Sequence, residues 1–277
     1  MLARFVGGKL TERLGQQVVV DNRSGANGII AAELTAKAAP DGHTLQFMSI
    51  SHTMNAAVYK LPFDAVKSFT PVGMLASGPL VLVTHPSFPA PTVKALVDLA
   101  KAKPNTISYA VSGTGGINHF AGAMFSRMAG IQLLDVPYRG GPQALTDLIA
   151  GQVQLMFATL AITHRQVAAQ KLKALGVSTP KRATLLPNVP TIAESGVKDY
   201  AMSTWWGVLA PPALPNAIVA KLNRETAAVL GQPDTAQRLE NDGAEAAPMA
   251  SAEFARMLAS EVERWKRVAR ESNIKAE

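Results

Sequence analysis

The stretch Ser112-Gly113-Thr114-Gly115-Gly116 carries the most legible chemistry in this chain. It follows the apolar run 107–111, which reads as a strand, and leads into a helical pattern over residues 118–128. Bare backbone N–H groups, small hydroxyls and the positive end of a helix dipole converge at such a turn, a combination suited to a carboxylate or a phosphate. An ordinary strand-to-helix turn that needs glycine for its backbone angles has the same composition, so the pattern alone leaves both readings open. The other strand ends share its character. Residues 49–53, 138–141, 158–159 and 203–204 are rich in small hydroxyls and glycine and carry no acid. Open α/β sheets bind ligands outside the carboxyl ends of their strands, which makes these loops the candidate binding elements.

Several rival chemistries fail on the residues they require. Gly113 and Gly115 fit the dinucleotide fingerprint GxGxxG, but Asn118 occupies the third glycine, and no acidic residue ends a strand about 20 residues further on. NAD binding is therefore rejected. A GxxxxGK[ST] loop for nucleoside triphosphates is missing too. The chain has no cysteine, which rules out thiolate catalysis, iron–sulfur clusters and cysteine-ligated zinc.

Of the five histidines, His43 lies in a turn, His85 precedes a proline and His164 adjoins Arg165. None pair at metal-ligand spacing, and HExxH does not occur. His52 and His119 fall beside the candidate loops and are placed to donate to an anion, with a structural role the stronger reading for His119. No GxSxG elbow is present, and Asp135 and Asp147 read as a strand-end and a helix-surface charge. Hydroxyls and amides without an acid–base pair describe a binding site, not a catalytic one. Trp205 and Trp206 read as hinge core, with a cleft wall as the lesser reading.

The elements that position these loops follow from hydrophobic spacing. Leu2, Phe5, Val6, Leu10 and Leu14 keep helical spacing, with Gly15 as a helix stop. Val18-Val19-Val20 reads as a short buried strand, residues 21–28 as a loop, 29–39 as a helix, 44–48 as a strand and 49–53 as the loop after it. Runs 71–75 and 80–83 read as two separate strands. Thr92 caps a helix whose inner face is Val93, Leu96, Val97 and Ala100. Strands at 107–111, 133–136, 153–157 and 172–177 then alternate with helices, which predicts a mostly parallel sheet with helices on both faces. A strand over 205–210 and two long helices follow, the last burying Phe254, Leu258, Val262, Trp265 and Ala269. Two α/β blocks, about 1–80 and 84–204, plus a helical tail packed on the first, would make the chain cross twice and form a hinge with a cleft.

Length and composition agree. The 277 residues suffice for two domains or one large α/β unit, and 48% hydrophobic against 17% charged residues exclude a disordered chain. The net charge of +7 comes from scattered bases with only 6% aromatics, which does not describe a nucleic-acid surface but would help gather anions. No apolar run reaches the about 18–20 residues of a membrane span, and no signal peptide precedes the first helix.

Several stretches together resemble the Bug (TctC-like) solute receptors of tripartite tricarboxylate transporters. They are KLTERLGQ at 9–16, VDNRSGA at 20–26, AKAAPDGHTL at 36–45, YKLPFD at 59–64, DVPYRG at 135–140, ALTDLIAGQV at 144–153, LPNVPTIAESG at 186–196 and WGVLAP at 206–211. The resemblance runs nearly end to end. It implies an α/β type II periplasmic-binding-protein fold with two lobes joined by two crossover strands, lobe 1 being residues 1–82 plus 206–277 and lobe 2 residues 83–205. It implies a periplasmic, monomeric receptor that binds a small carboxylate in the interlobe cleft and serves membrane subunits of the transporter. No catalysis, cofactor, metal or nucleic acid is implied.

Carried over by position, Ser51 and His52 match the family's first-lobe loop, and Ser112, Gly113, Thr114, Gly115 and Gly116 its anion loop. Ala158 and Thr159 end the strand where relatives often place Asp; Ala158 removes that acceptor, which points to a plain or aromatic carboxylate without a cationic amine. Relatives also begin with a signal peptide, a strand and a Pro-Gly-rich loop upstream of the helix in which Met1 falls, so a misassigned start or a fragment is expected. An enzyme acting on a carboxylic acid is the first alternative, and the sensing module of a regulator the second.

Overall fold

The computed structural model of the protein describes residues 2–23, 25–138 and 140–275. The chain divides into two compact units. Unit 1 comprises residues 1–77, 205–239 and 245–267, and unit 2 comprises 78–204, 240–244 and 268–277. The expected limits differ in four places. Trp205 falls in unit 1 and residues 240–244 in unit 2. The first boundary falls at 77/78 rather than 82/83, and the last residues of the tail belong to unit 2. Both follow from packing: residues 80–84 already pair with unit 2 strands, and Arg127 of unit 2 holds Glu271 at 2.9 Å.

Unit 1 opens with α1 (Leu2–Leu14). Its apolar stripe packs Val6 and Leu10 on Val229 of α8 (Asn216–Leu230), and Arg13 reaches Glu225 on the same helix at 2.8 Å. After α2 (Ile29–Ala36) comes β1 (Gln46–Ser49), which pairs antiparallel with β7 (Ser203–Ala210). Helix α3 (Ser51–Val58) follows β1 immediately. Strand β2 (Thr70–Thr84) pairs at Ala76 and Ser77 with the short β8 (Glu245–Ala246). The last helix, α10 (Ser251–Glu271), presents Phe254, Leu258, Val262 and Trp265 to the core, all at most 5% exposed. Trp205 lies edge-on to Phe254 with ring centres 5.8 Å apart, so this tryptophan is core.

Unit 2 takes up β2 at Leu80, which pairs antiparallel with β5 (Leu155–Thr159) and β6 (Lys173–Val177). β3 (Ser108–Val111) lies parallel to both β4 (Leu134–Pro137) and β5. Helices α4 (Val93–Ala102), α5 (Ile117–Ala129), α6 (Gly141–Ile149) and α7 (Leu160–Ala168) connect the strands, while α9 (Pro233–Asn241) follows α8 within unit 1 up to Leu239. The apolar core includes Val81, Val83, Ala110, Leu148, Met156 and Ala158, each at most 1% exposed. Burying each large aliphatic side chain contributes about 1.5–3 kcal/mol against chain entropy.

Several local expectations are corrected. The runs 71–75 and 80–83 form one 15-residue strand, because β2 changes partners near Gly78 without ending. β2 pairs antiparallel with β5, β6 and β8, and β7 with β1, while β3 runs parallel to β4 and β5, so the pairing is mixed rather than mostly parallel. Val18-Val19-Val20 forms no strand. Val19 is 76% exposed, and Val18 and Val20 face α1 at Gly7 without a ladder partner. The loop expected over 49–53 is already α3 from Ser51 onward, secured by Thr53, whose hydroxyl donates to the Ile50 carbonyl at 2.7 Å.

Candidate functional site

The parallel ladders put the C-terminal ends of β3, β4 and β5 on one edge of unit 2, and each end feeds a helix: α5, α6 and α7 respectively. Among the described residues, none of these three helices has an N-cap side chain bonded to its first turn. Helix α4, away from this edge, is capped as its sequence predicts, with Thr92 Oγ1 accepting from the Ala95 N–H at 3.1 Å. The contrast matters because the first N–H groups of a helix need an acceptor from somewhere. Uncapped and accompanied by the positive dipole end, they favour an anion.

The loop 112–116 is half-buried except at Gly115, which is buried. Gly113 and Gly115 sit at φ +115° and +73°, a left-handed backbone that explains both glycines without reference to a ligand. Several donors expected to be free are taken. The Ser112 hydroxyl donates to Asn118 Oδ1 at 2.6 Å, the Gly115 N–H to His119 Nδ1 at 3.2 Å, and the Gly116 N–H to the Gly113 carbonyl at 3.1 Å. The next three donors, the N–H groups of Ile117, Asn118 and His119, have no acceptor among the described residues, and helical bonding resumes with Phe120 N–H to Gly116 O at 3.1 Å. The unpaired donors thus lie one turn later than the glycines suggest, in the first turn of α5. Only the rule that helix starts carry orphan N–H groups could have located it from sequence.

His119 is neutral here. Because its Nδ1 accepts the Gly115 N–H, the ring proton sits on Nε2, and burial lowers its pKa against the opposing pull of Asp135. Asp135 also helps raise the buried Tyr109 phenol, after burial itself. No hydrogen bond joins His119 to Asp135 among the described residues, so no oriented acid–base couple forms. Tyr138, after β4, donates to Asp147, and burial followed by that bond raises its pKa. Arg139 of the same turn, and Ser24 of the loop 21–28, lie outside the described residues.

The remaining expected residues separate. Thr159 ends β5 half-buried, and its hydroxyl caps nothing on α7. Ala158 is corrected: it is 1% exposed, pairs with Val81 and packs its methyl in the apolar core, so it offers no side-chain surface. In unit 1, Ser51 is half-buried at the start of α3, and its hydroxyl has no partner among the described residues. His52 is also corrected. It is 5% exposed, stacks near-parallel to Phe63 at 6.0 Å and edge-on to Phe69 at 5.0 Å, and Nε2 donates to the Ala65 carbonyl at 2.8 Å. That buried donor bond makes it a packing residue whose pKa burial lowers.

Among the described residues, no group of three metal-binding side chains is assembled. Two grooves lie elsewhere. One of about 410 Å³ lies at His85, Phe88 and Lys103, and one of about 390 Å³ lies between residues 59–67 and α10.

Unit 2 thus carries unpaired helix-terminal donors at the C-terminal ends of its parallel strands. The chain belongs to the tripartite tricarboxylate transporter receptor family (TctC), whose model matches residues 2–274. Similar solved structures include R. palustris Rpa4515 with adipate, 35% identical with a TM-score of 0.90, covering 100% of this chain and 93% of that one. The periplasmic binding protein BugD is 31% identical with a TM-score of 0.86, at 99% and 93% coverage. MatC from Rhodopseudomonas palustris with bound malate is 30% identical with a TM-score of 0.85, at 96% and 92% coverage. The fold is thus that of the two-domain periplasmic solute-binding proteins. Among the described residues, no helix is long and apolar enough to cross a membrane.

Proposed function

We propose that this protein is a periplasmic, monomeric receptor that captures a small carboxylate and delivers it to membrane subunits of a tripartite tricarboxylate transporter. The observation that carries the reading is the run of three unpaired N–H groups at Ile117, Asn118 and His119, directly after the turn 112–116. Neutral donors and a helix dipole suit a carboxylate, and with no couple to move protons the bound acid is released unchanged. Adipate and malate in the related structures support the same ligand class. Thr159 and the turn 112–116 complete the proposed contacts in unit 2, with the Gly113 backbone as a donor and Ser112 acting through Asn118.

The apolar surroundings of Ala158 leave no carboxylate there to meet an ammonium group, so the ligand is a plain or aromatic carboxylate. Isothermal calorimetry against adipate, malate, benzoate, aspartate and glutamate tests this. Binding of a plain carboxylate, recovered chemically intact by NMR, is expected. Tight aspartate or glutamate binding would refute the amine-free ligand, and consumption of the acid would establish an enzyme.

A further inference from the structure

Asn118 stands apart from the backbone donors of the turn. Its side chain is 5% exposed at the second position of α5, and its Oδ1 is fixed by the Ser112 hydroxyl at 2.6 Å. Its carboxamide Nδ2 has no acceptor among the described residues. Among the described residues the sealed, unpaired side-chain atoms are those of Gln46, Thr84, Gln232, Thr235 and Ser272; Nδ2 of Asn118 is not among them and keeps contact with solvent although the residue is nearly buried. A buried amide normally pairs both its oxygen and its nitrogen. Here one half is locked and the other left waiting beside the three free N–H groups of the same helix turn.

We propose that Asn118 is the specificity-determining side chain of the carboxylate site: its Nδ2–H donates to a ligand carboxylate oxygen, oriented by the Ser112 hydroxyl. The inference rests on the carboxylate reading above and adds to it the group that sets the sign of the ligand. Ser112 is then a positioning residue. Its single proton is committed to Asn118 Oδ1, so it contacts the ligand through the amide and not directly. A neutral amide in this place accepts carboxylate without the strong pull on phosphate or sulfate that an Arg fork would exert.

The test replaces the donor by an isosteric acceptor. Asn118→Asp retains an oxygen for the Ser112 hydroxyl but sets a carboxylate against the ligand carboxylate. Calorimetry with adipate should show affinity at least about 100-fold weaker, since like charges face each other at short range. Titration with 6-aminohexanoate, which carries an ammonium in place of one carboxylate, should show the adipate preference of the wild type reduced at least about 100-fold, because the new carboxylate attracts that end. A merely structural Asn118 would weaken both ligands together. Asn118→Ala, which adds no charge, carries the test should the aspartate variant not fold, with a loss of about 10-fold or more expected from an unmade charge-assisted bond.

Wild-type affinity for adipate in a folded Asn118 variant overturns the assignment while leaving the carboxylate reading intact. A wild type that binds neither adipate nor malate nor any other acid of the panel overturns both.

Discussion

Lowering the pH from about 7.5 to about 5.5 should destabilise the protein through histidines that the fold holds neutral. His52 is the stronger case. It is 5% exposed between Phe63 and Phe69, with Nε2 donating to the Ala65 carbonyl at 2.8 Å, and burial depresses its pKa below the usual 6.5. His119 shifts in the same direction, with burial the larger cause and Asp135 opposing it. A depressed pKa means that the unfolded chain binds a proton the folded chain refuses. Stability is therefore full above about pH 6.5, falls as the pH drops toward the folded value, and levels off below it.

The slope is at most about 1.4 kcal/mol per pH unit for each group, so the loss has a fixed sign and this upper bound, with half-buried His119 the smaller contributor. Asp64 and Glu194, whose pKa values are lowered from 3.8 and 4.5, titrate below this window and do not confuse it. Urea unfolding at the two pH values, for the wild type and for His52→Gln, measures the effect. The glutamine variant keeps an N–H donor but cannot titrate, so it should lose measurably less stability on acidification than the wild type. A wild type equally stable at both pH values, or an unchanged loss in the variant, would refute the assignment of His52 as a buried neutral core residue.

Two further outcomes probe packing and hydrogen bonding. Gly122→Ala drives a methyl into the ring of buried Tyr109 and should cost about 1–3 kcal/mol or more in thermal unfolding, whereas an unchanged melting temperature would contradict the close approach of α5 to β3. Asn223 donates to the carbonyls of Val72 at 2.8 Å and Met249 at 3.0 Å, so Asn223→Ala should cost about 1–3 kcal/mol in denaturant unfolding, and a neutral result would mean that water replaces it freely.

Much of this architecture is legible in the chain, where spacing decides it. Phe254, Leu258, Val262 and Trp265 fall on one helical face in the sequence and in the core of unit 1. Thr92 ahead of a periodic run reads as a cap and is one. What failed depended on partners that spacing does not record. Val18-Val19-Val20 has strand composition but no neighbouring strand to pair with, and β-propensity without pairing forms nothing. Ser77-Gly78-Pro79 looks like a break, yet β2 continues because β8 covers one side of it and β5 the other. Residues 51–53 look like loop chemistry, yet α3 forms because burying His52, Thr53 and Met54 outweighs their weak helix preference.

The site shows the same division. The glycine turn was visible, and its location after β3 followed from the strand pattern. Which donors it leaves free was not visible, because Ser112, Gly115 and Gly116 bond to Asn118, His119 and Gly113 through geometry that appears only once α5 is folded. A residue named for its hydroxyl thus works through its neighbour, and the residue that replaced a fingerprint glycine becomes the one that faces the ligand in the proposal.

A crystal structure of the protein soaked with adipate is the most direct test. A carboxylate group within about 3.2 Å of the N–H groups of Ile117, Asn118 and His119 is the predicted result. Adipate density at any other place, with that helix turn still unoccupied, would contradict the account.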